Sequence, residues 1–130
     1  MPIDDLPFSL SDFLTVIHEG GVGLWSWSPA TQEVWLDDLC RRMWAIDDPI
    51  VTLDMLWDRI AAEDREAAIA AWENSAIEDG PFAFDFRIAP EGAPMRWISA
   101  RGIGGRAGQK GDAQLAIFCD VTELREAQGR

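Results

Sequence analysis

The 130-residue chain holds no tyrosine, one histidine and two cysteines, and its 11 basic residues face 23 acids. Each shortage closes a route to function. With His18 as the single histidine, a two-histidine metal site is excluded by count. Cys40 and Cys119 each lie in an apolar stretch, without a CxxC or Cys/His cluster nearby. They make neither a disulfide framework nor a zinc site, and they read as reduced, buried small hydrophobes. A formal charge of −12 repels phosphate backbones and anionic lipid, which argues against a nucleic-acid tracker or a membrane-surface protein. The longest apolar runs fall well short of a bilayer span.

What the chain does have is the composition of a globular protein: 48% hydrophobic, 26% charged, seven Trp and six Phe. Its length suits one domain that hides about two-thirds of its unfolded surface. Residues 1–80 carry 17 acids against 4 bases and residues 81–130 carry 6 against 7, so the two halves of the chain differ electrically. The start lacks a basic n-region, and a cytoplasmic location is the expectation.

Ser9-Leu10-Ser11-Asp12 offers helix caps, and Leu10, Phe13, Leu14 and Ile17 follow at helical spacing, ending at Gly20-Gly21. Val22–Ser28 alternates, Ser28-Pro29-Ala30-Thr31 reads as a turn, and Glu33–Leu36 completes an antiparallel hairpin. The period then changes. Asp38 leads into Leu39, Cys40, Met43 and Trp44; Thr52 into Leu53, Leu56, Trp57 and Ile60; Asp64 into a longer run striped by Ala68, Ile69, Trp72 and Ala76. Three helices therefore follow the hairpin. Period two returns with Phe82, Phe84, Phe86 and Ile88, then Met95–Gly102, then Leu115, Ile117, Cys119 and Val121, and Thr122 is read as the cap of a last helix. The glycine-loaded connection Gly102–Gly111 joins two strands and lacks the Gly-Lys-Ser/Thr order of a phosphate cradle.

Enzymatic chemistry needs a positioned nucleophile, an acid–base pair or a metal. The carboxylate pairs Asp37-Asp38, Asp47-Asp48 and Glu63-Asp64 each fall at a helix start or polar turn, where capping accounts for them. His18 sits ahead of the first strand and reads as a surface or interface residue. The tryptophans admit two readings. They are core bulk, or Trp44, Trp57 and Trp97 ring a cavity for a planar or apolar ligand.

Four local patterns in order resemble the PAS domains of bacterial sensor histidine kinases and cyclic-dinucleotide enzymes. Gly23-Leu24-Trp25-Ser26-Trp27-Ser28 resembles their first strand. Asp64-Arg65 stands where a His-Pro-Asp-Asp-Arg turn enters the long helix, with Ala61-Ala62-Glu63 replacing the His-Pro lead. Phe84–Ile88 with Arg96–Gly102 resembles the central hairpin, Phe86 standing where Tyr is common. Asp120-Val121-Thr122-Glu123 resembles the Asp-Ile-Thr-Glu junction.

The resemblance implies an α+β fold: a five-stranded antiparallel sheet in the order 2-1-5-4-3 with helices packed on one face. It divides the chain into an amphipathic helix (1–20), the domain itself (21–122) and the start of an output helix (123–130). It implies a non-catalytic sensory or interaction module, the input part of a histidine kinase or similar protein, with the effector beyond Arg130 or on a partner; the competing class is a small α+β enzyme or hotdog-like binder. A cysteinyl–flavin adduct is not expected, because Cys40 lies one helix too early, and the absence of tyrosine removes the partner of a phenolic chromophore. No cofactor is expected. A small apolar ligand, if there is one, would lie among Trp44, Leu56, Trp57, Phe84, Phe86, Trp97 and Ile117; the alternative is a core filled by side chains that signals by dimer rearrangement. Asp120, Thr122 and Glu123 form the expected signal-output junction, and Leu10, Phe13, Leu14 and Ile17 the expected homodimer contact.

Overall fold

The computed structural model describes residues 7–77, 80–104 and 114–129. Five helices and six strands follow one another as α1 (Leu10–Glu19), β1 (Val22–Trp27), β2 (Glu33–Leu36), α2 (Asp38–Trp44), β3 (Ile50–Thr52), α3 (Leu53–Arg59), α4 (Ala62–Ile77), β4 (Gly80–Ile88), β5 (Arg96–Gly104), β6 (Gln114–Asp120) and α5 (Thr122–Gln128). The glycines expected in the β5–β6 connection from Gly105 to Gly111 lie outside the described residues.

The helix starts follow from side-chain oxygens that take otherwise unpaired amides. Ser9 accepts from the Asp12 N–H and Asp12 answers at the Ser9 N–H, a reciprocal capping box. Asp37 caps α2 at the Cys40 N–H, and Thr52 caps α3 at the Met55 N–H. No helix among the described residues is long and apolar enough to cross a membrane.

The sheet is antiparallel in the order β3-β2-β1-β6-β5-β4. The expected sheet has five strands; the structure has six. Without β3 the order is the expected one. The addition is three residues long and pairs with β2 at the edge, burying Val51 beside Val34. Three residues running straight into the Thr52 cap are too few to show alternation.

The core lies between one face of this sheet and α2–α4. Trp25, Val34, Leu36, Phe86, Ile88, Ile98, Ala100, Ala116 and Phe118 come from the sheet, and Cys40, Met43, Trp44, Leu56, Ala68 and Trp72 from the helical side. Ala116 and Phe118, not Leu115, Ile117 and Cys119, are the buried face of β6. β6 is a central strand with apolar residues on both faces, so alternation alone does not choose between them. Phe118 decides the matter by stacking on Trp25 at 4.7 Å between centroids. The outer face carries the register row Ile50, Trp35, Ser26, Leu115, in which Ile50, Trp35 and Leu115 are exposed.

Candidate functional site

Two places could carry function: the interior between sheet and helices, and the junction between β6 and α5.

The interior is an aromatic cluster. Trp44 lies 5.8 Å from Phe86 and 5.2 Å from Phe118, and Trp72 lies 5.4 Å from Trp25 and 5.3 Å from Trp27. The cavity left among these rings is about 20 Å³, which holds one water molecule at most. Of the residues expected to surround a ligand, Trp44, Leu56, Trp57, Phe84 and Phe86 do line it. Trp97 and Ile117 do not. Both belong to the outer face: Trp97 pairs with Arg87 and Ile117 with Leu24, in strands whose inward positions are Ile98, Ala100, Ala116 and Phe118. Trp25, Leu53, Trp72, Ala100 and Phe118 complete the lining and were missed. The signal for Trp25 and Trp72 was their place on apolar stripes; Phe118 was assigned the wrong face of its strand.

The cavity does not fit a flavin or a haem. Its volume is far below either, His18 is bonded elsewhere, and the Cys40 thiol, pushed up by burial and by the Asp37 charge, donates to the Leu24 carbonyl oxygen. The indole N–H groups of Trp25, Trp27 and Trp44 are buried with no hydrogen-bond partner among the described residues. Among those residues, no group of three or more His, Cys, Asp or Glu side chains could hold a metal ion.

His18, expected as a surface or interface residue, ties α1 to the domain instead. Its Nε2 stands 2.7 Å from Asp37 Oδ2. Asp37 also accepts from the amides of Leu24 and Cys40 at 2.8 and 2.9 Å. Burial opposes its charge, but these hydrogen bonds prevail and hold the carboxyl below its ordinary range. Along α1, Leu14 and Ile17 are half-buried whereas Phe13 and Val16 are exposed. The Leu10 side chain lies outside the described residues.

At the junction, Thr122 is not the cap of α5. It is the first helical residue, and Val121, the N-cap, makes no side-chain capping bond. The Thr122 hydroxyl turns back to the sheet, donating to Asp120 Oδ1 at 2.6 Å and accepting from the Trp97 N–H at 2.9 Å. Asp120 also accepts from the Thr122 N–H at 3.0 Å and from Arg96 at 2.8 Å. Burial again opposes the Asp120 charge, and the bonds from Thr122 and Arg96 hold its carboxyl below the ordinary range. Glu123 is exposed in the first turn of α5. The arrangement locks the end of β6, the start of β5 and the start of α5 into one polar cluster.

No protein-family model and no curated protein sequence matches the chain. Solved structures do. A sensory box histidine kinase/response regulator from Burkholderia thailandensis E264 is 20% identical over 90% of this chain and 89% of its own, with a TM-score of 0.70. The N-terminal domain of a diguanylate cyclase with PAS/PAC sensor from Marinobacter aquaeolei is 12% identical over 80% of this chain and 98% of its own, with a TM-score of 0.64. An RNA-binding Light-Oxygen-Voltage receptor, of whose chain 30% is covered, is 13% identical over 84% of this one, with a TM-score of 0.65. With the helices on one face of the sheet, the aromatic interior and the polar junction after the last strand, the chain has the fold of the PAS sensor domains.

Proposed function

We propose that the chain is the input module of a signal-transduction protein, a histidine kinase or a related enzyme, and is not itself a catalyst. The observation that carries this reading is the junction. A terminal strand and the helix after it are joined by a part-buried Asp120–Thr122–Trp97 cluster, so a shift of β6 against β5 is felt at the first residue of α5. The nearly filled interior supports signalling by rearrangement of the protein's own elements. Self-association through the exposed side of α1, where Phe13 and Val16 lie, would bring two such junctions together.

Fusion of the chain, through α5, to the catalytic part of a histidine kinase tests the reading. Autophosphorylation should change with Asp120→Asn and Thr122→Val while the domain stays folded. Unchanged output in both variants removes the junction from the signal path. Light scattering should report a dimer, and Phe13→Asp a monomer.

A second reading is favoured by the unpartnered indoles of Trp25 and Trp44, both in the cavity wall. A small, largely apolar molecule would have to open the collapsed space, whose surface is apolar, before an acceptor on it could reach such a donor. Native mass spectrometry of the purified protein decides: a bare chain supports the filled core, and an added mass supports the ligand.

A further inference from the structure

On the outer face near the β4 edge, a set of contacts lies outside the cavity and meets the junction only at Trp97, through its ring rather than its backbone N–H. Asp64, in the first turn of α4, accepts three hydrogen bonds from Arg87: from its backbone N–H at 2.8 Å and Nε at 2.9 Å on Oδ2, and from Nη2 at 2.8 Å on Oδ1. A carboxylate gripping two guanidinium nitrogens fixes the plane of the fork. That guanidinium stands 5.2 Å from the ring centroid of Trp97, its register partner on β5. The same ring carries a second cation. Arg125 of α5 lies 4.3 Å from the centroid and donates to Asp85 of β4 at 2.7 Å.

α5 has seven residues and buries none of them, and a helix this short does not hold its shape alone in water. Beyond Thr122 at its start, Arg125 is the side chain that ties it to the sheet among the described contacts. Its docking is therefore poised.

We propose that Arg87 couples the head of α4 to the docking of α5 around the β4 edge of the sheet, with Trp97 as the ring both arginines share. Two guanidiniums on one ring repel each other least when each has its own carboxylate, and Asp85 serves Arg125. Asp64, with Glu63 at 3.7 Å, neutralises Arg87. When the head of α4 moves away, Arg125 keeps Asp85 but loses the attraction of Asp64 and meets an unpaired Arg87, so α5 is held less firmly. The Asp64 carboxyl is held below its ordinary range by its bonds to Arg87 first, and the Arg125 charge adds to the effect, so the field of α5 reaches the head of α4. The route runs outside the sheet and leaves the filled core undisturbed.

The use of this coupling in signalling rests on the reading of the chain as an input module; the coupling itself is a property of the chain alone. Amide hydrogen exchange on the whole chain tests it, with β1 and β6 amides as the reference for global opening. Arg125→Gln, at a partly exposed site, should speed exchange in α5 roughly two- to fivefold. By reciprocity it should also speed exchange of the Arg87 amide, which bonds to Asp64 and not to Arg125. Asp64→Asn should speed exchange in α5, and should add nothing once Arg125 is already Gln. An unchanged Arg87 amide in Arg125→Gln overturns the proposal, as do additive effects on α5. If Asp64→Asn unfolds the chain, the Arg125→Gln arm decides alone. A silent kinase fusion with intact coupling would count against the input-module reading only.

Discussion

Replacing Thr122 with Val keeps the size and β-branching of the side chain and removes its hydroxyl. In the structure that hydroxyl is a donor to Asp120 and the acceptor for the Trp97 N–H, in a part-buried setting. The variant leaves a backbone donor unpaired and Asp120 with one bond fewer. A buried donor left without a partner costs about 1–3 kcal/mol, and partial burial places this one near 1–2 kcal/mol. For a domain of this length that is a fall in Tm of about 3–8 °C. Urea titration followed by far-ultraviolet circular dichroism measures it, with an unchanged slope showing that the denatured state is unaffected. Thr122→Ser keeps the hydroxyl and should recover most of the loss. Thr122→Asp separates the observed geometry from an ordinary cap. A carboxylate serves well at a helix N-cap, but here it would face Asp120 and would destabilise. A Val variant within about 0.3 kcal/mol of the parent, or an Asp variant as stable as the parent, would refute the reasoning.

A Cβ added at Gly23 would stand 2.6 Å from Cys40 Sγ and 3.1 Å from the Cys40 backbone nitrogen. Gly23→Ala should therefore cost roughly 1–3 kcal/mol by urea titration, with Cys40→Ala restoring only part because the backbone contact remains. Phe118→Ala removes a ring stacked on Trp25 and should cost roughly 3–5 kcal/mol, whereas Ile117→Thr on the outer face should cost about 1 kcal/mol or less; similar losses would contradict the assigned faces. The carboxyls of Asp37, Asp64 and Asp120 are all held below the ordinary value of 3.8 in the folded chain. Their contribution is whole above about pH 5 and is lost as pH falls through and below the ordinary value. The urea midpoint should drop from pH 5 to pH 3, less steeply in Asp37→Asn, and an equal drop in the variant would count against the Asp37 cluster.

Local chemistry in the chain determined much of this protein. Ser9 and Thr52 announce two helix starts, and Asp38 a third that the structure caps one residue earlier with Asp37, because a cap is a contact between residues three apart. The alternation of Phe82, Phe84, Phe86 and Ile88 announces β4, because a strand with one polar face must turn that face outward. The order of such elements allowed antiparallel pairing, and the resemblance to PAS domains supplied the arrangement of the five longer strands and, with it, Trp44, Leu56, Trp57, Phe84 and Phe86 as neighbours of one interior. Tertiary structure decided what depends on partners distant in sequence. Ile117 and Phe118 are both apolar in a strand flanked on each side, and only the rings of Trp25 and Trp44 select Phe118 for the core. Trp97 was legible as an aromatic on β5 but not as the platform for Arg87 and Arg125, because its face depends on the inward turn of Ile98 and Ala100. Thr122 has the residue type of a cap, and its hydroxyl serves the sheet instead because the Trp97 amide, 25 residues away, is brought within 2.9 Å. Residue type and spacing limit which bonds a side chain can make, and only the packed fold decides which of them it makes.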